Sequence, residues 1–183
     1  MTENHGFEIV HTATATDLGF LRVDISTVRT PTAEIIERVV VVHPGAVAVV
    51  PLCGDDIVLI AQYRAPVDEV VVEIPAGKLD KRGEDKRSAA ERELAEETGY
   101  IAHDLIHLTD LKTGVGFTNE LITIYLAPSV TPGRARPVGA EEREARVFTM
   151  PFNQAVEEVA RGAITDAKTV AGILLAERLR GPA

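Results

Sequence analysis

Cysteine is almost absent from this sequence. Cys53 is the single one among 183 residues, which excludes an intrachain disulfide and any zinc site built from several thiolates. It suits a reducing compartment, and lying in an apolar run beside a turn it is expected to be a buried structural thiol. Positive charge is also short: 19 Lys and Arg against 28 Asp and Glu leave a formal charge of −9. Such a chain is a poor partner for nucleic-acid phosphates. Any phosphate it meets must be held locally, by a few arginines or a divalent metal. No apolar run reaches membrane-spanning length. Met1 to Gly6 shows no basic stretch leading into an apolar one, so no secretory signal is expected. The expected location is cytoplasmic, with no membrane and no nucleic acid as partner. Internal repeats, low-complexity tracts, a Walker A loop and a His-Glu-x-x-His pair are all missing. Gly114-Val115-Gly116 is a fragment of a dinucleotide fingerprint without its later glycine, and reads as a loop. His103 and His107 are four apart with no third ligand at metal spacing, and read as partly exposed structural residues.

Apolar residues make up 45% and charged residues 26%, ordinary proportions for one globular domain with a substantial core. Phe7 to Asp24 holds two apolar runs split by Thr12 to Gly19, and predicts a small hairpin. Arg29-Thr30-Pro31-Thr32 is linker-like. Arg38 to Leu52 predicts two strands broken at His43-Pro44-Gly45. A turn at Gly54-Asp55-Asp56 precedes a β-rich run to Tyr63, and Glu69 to Ile74 predicts another strand stopped by Pro75. A helix is expected from about Asp85 to Glu97, with Glu84 and Asp85 at its positive end and Gly99 as a left-handed cap. Strands are expected at Leu105–Leu111, Leu121–Ala127 and Ala145–Met150. A helix from Pro151 to Arg161, closed by Gly162, and one from Asp166 to Leu179 complete the order. This is an α+β pattern with helices packed on a mixed sheet.

Chemistry concentrates in Gly77 to Tyr100, GKLDKRGEDKRSAAERELAEETGY. On a helix, Glu93 and Glu97 stand about 40° apart and Glu96 about 60° from Glu93, while Ala90 and Leu94 form an adjacent apolar stripe. One flank packs and the next presents carboxylates. Arg92 and Glu96 can pair at i,i+4. Glu93 and Glu97 repel, by about 0.2–0.5 kcal/mol in water and about 4 kcal/mol at 4 Å and an effective dielectric near 20. In a cleft this flank needs a counter-charge, and dense hard oxygens suit Mg²⁺ or Mn²⁺. The bland reading of the same pattern is a solvated acidic face.

The segment resembles the Nudix box of the MutT-like pyrophosphohydrolases, G-x5-E-x7-R-E-U-x-E-E-x-G-U. Gly77, Glu84, Arg92, Glu93, Leu94, Glu96, Glu97 and Gly99 match. Six residues rather than five separate Gly77 from Glu84, and Tyr100 replaces the final aliphatic residue. The extra residue falls before the helix and leaves the spacing from Glu84 to Gly99 intact. Outside the box, His43-Pro44-Gly45-Ala46-Val47, Gln62-Tyr63-Arg64, Glu73-Ile74-Pro75-Ala76-Gly77 and Gly116-Phe117-Thr118-Asn119-Glu120 are similar to the ADP-ribose pyrophosphatase branch. That branch usually carries a proline where this chain has Val115.

The resemblance implies a Nudix α/β/α sandwich over residues 37–183, with residues 1–36 as a short N-terminal β-segment that contributes to dimerisation and substrate binding. It implies hydrolysis of the pyrophosphate of ADP-ribose or a related ADP-sugar to AMP and a sugar phosphate, with two or three Mg²⁺ ions per site, or Mn²⁺. Its rivals are a broader hydrolase of nucleoside diphosphate derivatives and a non-catalytic Nudix sensor. By matching positions, Glu93, Glu97 and the carbonyl of Ala76 are implied metal ligands, with Glu96 contributing or supporting. Arg92 orients the glutamates, Glu84 ties loop to helix, and Gly77 allows close backbone approach. Arg64 is an implied phosphate-binding arginine, and Glu73 lies near metals or substrate. A homodimer is implied, with Phe20, Arg22 or Arg38 near the adenine or ribose. The general base is implied on a Pro- and Gly-rich loop, Ser129 to Glu144, with Glu142 first, Glu141 second and Glu144 third; a box glutamate, Glu96, is the fallback.

Overall fold

A computed structural model describes residues 4–136 and 139–181. The chain divides into two compact units, one from residues up to Gly45 together with Lys112–Leu121, the other from Ala46–Leu111 and the chain from Ile122 on. No helix among the described residues is long and apolar enough to cross a membrane.

The first unit carries a three-stranded antiparallel sheet of β1 (Glu8–Asp17), β2 (Arg22–Arg29) and β3 (Ile35–Val42). Here the sequence expectation needs correction. The alternating Thr-Ala stretch from Thr12 to Asp17 does not split two strands but continues β1, because threonine's branched Cβ suits extended backbone. The reversal comes at Leu18 to Leu21, with Gly19 at φ 85°. The linker-like Arg29–Thr32 stretch ends β2 and enters the β2–β3 turn, where the Thr30 N–H donates to the Glu34 carbonyl at 2.8 Å.

The second unit is built on β4 (Ala46–Cys53), β5 (Asp56–Arg64), β6 (Glu69–Glu73), β7 (Ala76–Lys78), β9 (Ile106–Lys112), β10 (Leu121–Ala127) and β12 (Arg146–Pro151). The main order is β12-β5-β4-β10-β9, with β6 on β5 and β7 on β4. β4 and β10 run parallel, Ala46 opposite Ile122, while β5, β6, β7 and β12 pair antiparallel, so the sheet is mixed. β4 is the central strand and reads as an unbroken apolar run because both its faces are covered. Val47 and Val49 pack with Ala89, Ala90 and Leu94 of α1 (Lys86–Thr98). Ala48, Val50 and Leu52 pack on the opposite side with Phe152 and Ala155 of α3 (Phe152–Ala160) and Ile173 and Ala176 of α4 (Ala167–Arg180). This is the expected α/β/α sandwich. A cavity of about 670 Å³ is lined by Ala61, Tyr63, Val70, Glu141, Glu144 and Arg146.

The expected loop Ser129–Glu144 contains structure: β11 (Val130–Pro132), paired with β8 (Tyr100–Ala102), and the short helix α2 (Ala140–Glu144). Pro137 of that stretch lies outside the described residues. Strands this short carry no readable period. Cys53 is a free thiol, half-buried rather than buried, at the end of β4.

Helix α1 ends as its sequence dictates. Gly99 takes φ 76° and donates its N–H to the Ala95 carbonyl. That backbone costs a residue with a Cβ about 1–2 kcal/mol, and a Cβ here would sit 2.6 Å from the Ala135 nitrogen. Gly99→Ala is therefore expected to lower the thermal midpoint by roughly 2–8 °C or more, followed by circular dichroism. An unchanged midpoint would remove the cap from the account.

Candidate active site

Helix α1 is aimed by its ends and its apolar stripe. Asp85 caps it, its carboxylate accepting from the backbone N–H groups of Arg87 and Ser88 at 3.0 Å each. Glu84, in the loop before the helix, takes a two-bond clasp from Arg92 of α1, at 2.8 Å from both Nε and Nη2, and so joins loop to helix. Ala89, Ala90 and Leu94 are fully buried against the sheet. That burial turns the neighbouring flank, with Glu93 and Glu97, along the backbone of β7.

The approach is close. A Cβ at Gly77 would lie 1.9 Å from Glu93 Cδ and 2.3 Å from its Oε1, so only glycine fits there. One residue earlier, the Ala76 N–H donates to Glu97 Oε2 at 2.9 Å. Arg92 also reaches Glu93 Oε1 at 2.7 Å and Glu96 Oε2 at 2.9 Å, and Lys81 stands 3.6 Å from Glu96 Oε1. A single guanidinium therefore joins Glu84, Glu93 and Glu96, and these bonds push its own pKa further up.

Of Glu84, Glu93, Glu96 and Glu97, the last has no cation bonded to it among the described residues. Burial pushes its carboxyl up to about 8; the Ala76 N–H opposes this, while the charges of Glu93 and Glu142 reinforce it. Burial raises Glu93 as well, against the pull of Arg92. The donor set fits a divalent cation. Hard oxygens stand partly buried on one flank, short of positive charge, beside a backbone cradle that a Cβ would fill. Among the described residues, no three Asp, Glu, His or Cys side chains already converge on one metal position.

Glu73, at the end of β6, is 1% exposed yet solved differently. Arg64 Nε donates to its Oε1 at 2.5 Å and Nη2 to its Oε2 at 2.7 Å, and Lys168 Nζ bonds the same Oε2. Burial alone would raise this carboxyl, but the two cations hold it below the usual range. Arg64 in turn feels the charge of Glu97. Beside it, the side-chain oxygen of Gln62 is buried without a hydrogen-bond partner among the described residues.

The remaining expected site residues each have their own neighbours. Phe20 and Arg38 belong to the first unit. Phe20 meets the His43 ring edge-on at 6.1 Å, and Arg38 Nη1 donates to the Glu37 carbonyl at 2.8 Å. Arg22 pairs with Asp24 at 2.9 Å. Glu142 sits in α2, accepting the Gly139 N–H at 2.9 Å, and its charge reaches both Glu93 and Glu97. The charge of Glu141 acts on Tyr63 instead. Sequence reasoning missed Lys168. The available signal was a lysine in the first turn of α4, where the helix dipole disfavours a cation.

Comparison with known proteins gives the family. The Nudix domain family matches residues 42–172. The methanol dehydrogenase activator of Bacillus methanolicus is 36% identical over 155 residues, covering 84% of this chain and 83% of that one. The ADP-ribose pyrophosphatase of Bacillus subtilis is 35% identical, covering 81% and 80%. That of Mycobacterium tuberculosis is 34% identical, covering 93% and 83%. A crystal structure of an ADP compounds hydrolase has a TM-score of 0.80 at 22% identity, over 98% of this chain and 96% of that one, a likeness of fold. With the family matched across the sheet and helices that place the carboxylate flank, the chain belongs to the Nudix family of hydrolases.

Proposed function

We propose that this Nudix hydrolase cleaves the pyrophosphate of ADP-ribose or a related ADP-sugar, water adding at phosphorus as the bridging P–O bond breaks, to give AMP and a sugar phosphate. The observation that carries the reading is the seating of Glu93 and Glu97 against the Ala76–Gly77 backbone, in the same unit as an arginine held by its fork, Arg64. The names of the Bacillus subtilis and Mycobacterium tuberculosis relatives supply the substrate class. A wider range of nucleoside diphosphate derivatives is the alternative.

Nudix hydrolases need divalent metal ions. In our reading Glu93, Glu97 and the Ala76 carbonyl would hold two or three Mg²⁺ ions, or Mn²⁺, with Glu96 contributing or supporting. When bound, such ions offset the pyrophosphate charge and lower the pKa of a water. The protein's own groups supply position. Arg92 fixes the glutamates, Arg64 takes a phosphate, and Glu142 accepts the water's proton. Of the three glutamates on α2, Glu142 is favoured because its charge reaches Glu93 and Glu97.

With Mg²⁺ and with Mn²⁺, a panel of ADP-ribose, ADP-glucose, NADH and nucleoside triphosphates should show AMP released fastest from ADP-ribose or an ADP-sugar. Glu97→Gln should keep the fold and lower kcat at least about 10²-fold, roughly 2.7 kcal/mol of barrier; an active, metal-independent variant would overturn the reading. Glu142→Gln should lower kcat by about 10²–10⁴-fold with metal affinity unchanged by calorimetry. Full activity in that variant moves the base to Glu141, Glu144 or Glu96.

We further propose that the chain is a homodimer whose N-terminal β-segment contributes to the partner's substrate site, with Phe20, Arg22 or Arg38 near the adenine or ribose. That unit exposes Phe7, Ile9, Leu18, Phe20, Ile35 and Val39, more apolar side chain than a sheet facing water requires. Light scattering at micromolar concentration should give twice the chain mass; a monomer would count against it.

A further inference from the structure

Lys168 has no place in the box, yet it is 8% exposed and ion-paired on two sides. Its Nζ bonds Glu73 Oε2 and stands 3.1 Å from Asp166 Oδ2. The same Asp166 oxygen caps α4, accepting from the Thr169 N–H at 3.0 Å and the Thr169 hydroxyl at 2.6 Å. That hydroxyl accepts the Ile74 N–H at 2.9 Å, and Ile74 follows Glu73 in the chain. The bonds close a ring: Glu73, Lys168, Asp166, Thr169, Ile74. A carboxylate inside such a ring has little freedom to turn, because each rotation breaks a buried charge-assisted bond.

The consequence falls on Arg64. Its Nε and Nη2 are both taken by Glu73, so the direction of its remaining nitrogen, Nη1, is set by where Glu73 points. No partner bonds Nη1 among the described residues, and the side chain is 37% exposed. A guanidinium is planar and rigid, so fixing two of its nitrogens fixes the third.

We propose that Lys168 is a positioning residue of the reaction: by locking Glu73 it sets the angle at which Arg64 offers Nη1 to a phosphate of the substrate. This rests on the reading of Arg64 as the phosphate-binding arginine. Lys168 touches no reacting atom. It acts through Glu73, from a helix on the other side of the sheet from α1, and makes the start of α4 part of the substrate site's frame.

The test is a double-mutant cycle in the full chain, assayed as Mg²⁺-dependent AMP release from ADP-ribose. Lys168→Met should raise KM about tenfold or more with kcat within about threefold, and leave Mn²⁺ binding unchanged by electron paramagnetic resonance. Lys168→Arg, which keeps the charge, should recover part of the loss. Arg64→Lys should raise KM by itself, and adding Lys168→Met to it should cost less than about twofold more. Multiplying costs, or a loss in kcat alone, would assign Lys168 a merely structural role and overturn the proposal. If Arg64→Lys leaves KM at the wild-type value, the phosphate-binding reading of Arg64 fails first. If it raises KM while Lys168→Met does not, only the role of Lys168 fails. Should Lys168→Met not fold, the neutral pair Glu73→Gln/Lys168→Met removes both charges together, which buried pairs tolerate better than losing one. That variant should fold with KM raised to the level of Arg64→Lys, and a wild-type KM would overturn the proposal.

Discussion

A carboxylate withdrawn from water needs a cation or a proton, and the second unit holds both situations near one another. Glu73 is almost wholly buried, and Arg64 and Lys168 keep it ionised below the usual range. Glu97 is half-buried, with one backbone N–H and no cation bonded to it among the described residues, and burial drives its carboxyl up to about 8. The two residues are chemically identical, and their opposite shifts come wholly from what stands beside them. One glutamate is neutralised twice over, while the other stands without a bonded cation among the described residues. The Ala76 N–H seats Glu97 against β7, and the close approach at Gly77 and the clasp of Arg92 seat Glu93 beside it.

The backbone from Glu73 to Gly77 is the crossing point of the unit. Glu73 is gripped from β5 and α4, and Ile74 by Thr169. The Pro75 carbonyl accepts from Val49 of β4, Ala76 donates to Glu97 of α1, and Gly77 makes room for Glu93. Each successive residue answers to a neighbouring layer of the sandwich. A segment held at every residue leaves the groups it carries little freedom of placement. The exposed charges elsewhere, such as Arg87 with Asp104 or Lys86 with Asp110, lie at the surface, where such pairs contribute about 0–1 kcal/mol.

Much of this is legible in the sequence. The ends of α1 are local chemistry: Asp85 caps and Gly99 turns left-handed, both visible as residue types at a helix end. β4 announces itself as an apolar run because both its faces are covered, and the Ala90–Leu94 stripe foretells which side of α1 packs. What was illegible is short or ambiguous. β7, β8 and β11 are each three residues long and show no period. α2 hides in a stretch rich in proline and glycine, and the threonines of β1 serve turn and strand equally well.

The sequence by itself determined the carboxylate flank. Helical geometry sets the spacing of Glu93, Glu96 and Glu97, and the pairing of Arg92 with Glu96 follows from the same four-residue step. Only the tertiary structure decided which glutamates keep a cation. Lys168 lies 95 residues from Glu73 and reads locally as a lysine misplaced at the positive end of a helix. It makes sense only when α4 packs across the sheet and lays its first turn on the end of β6. Charge acts through space, and distance in space is what the chain acquires last.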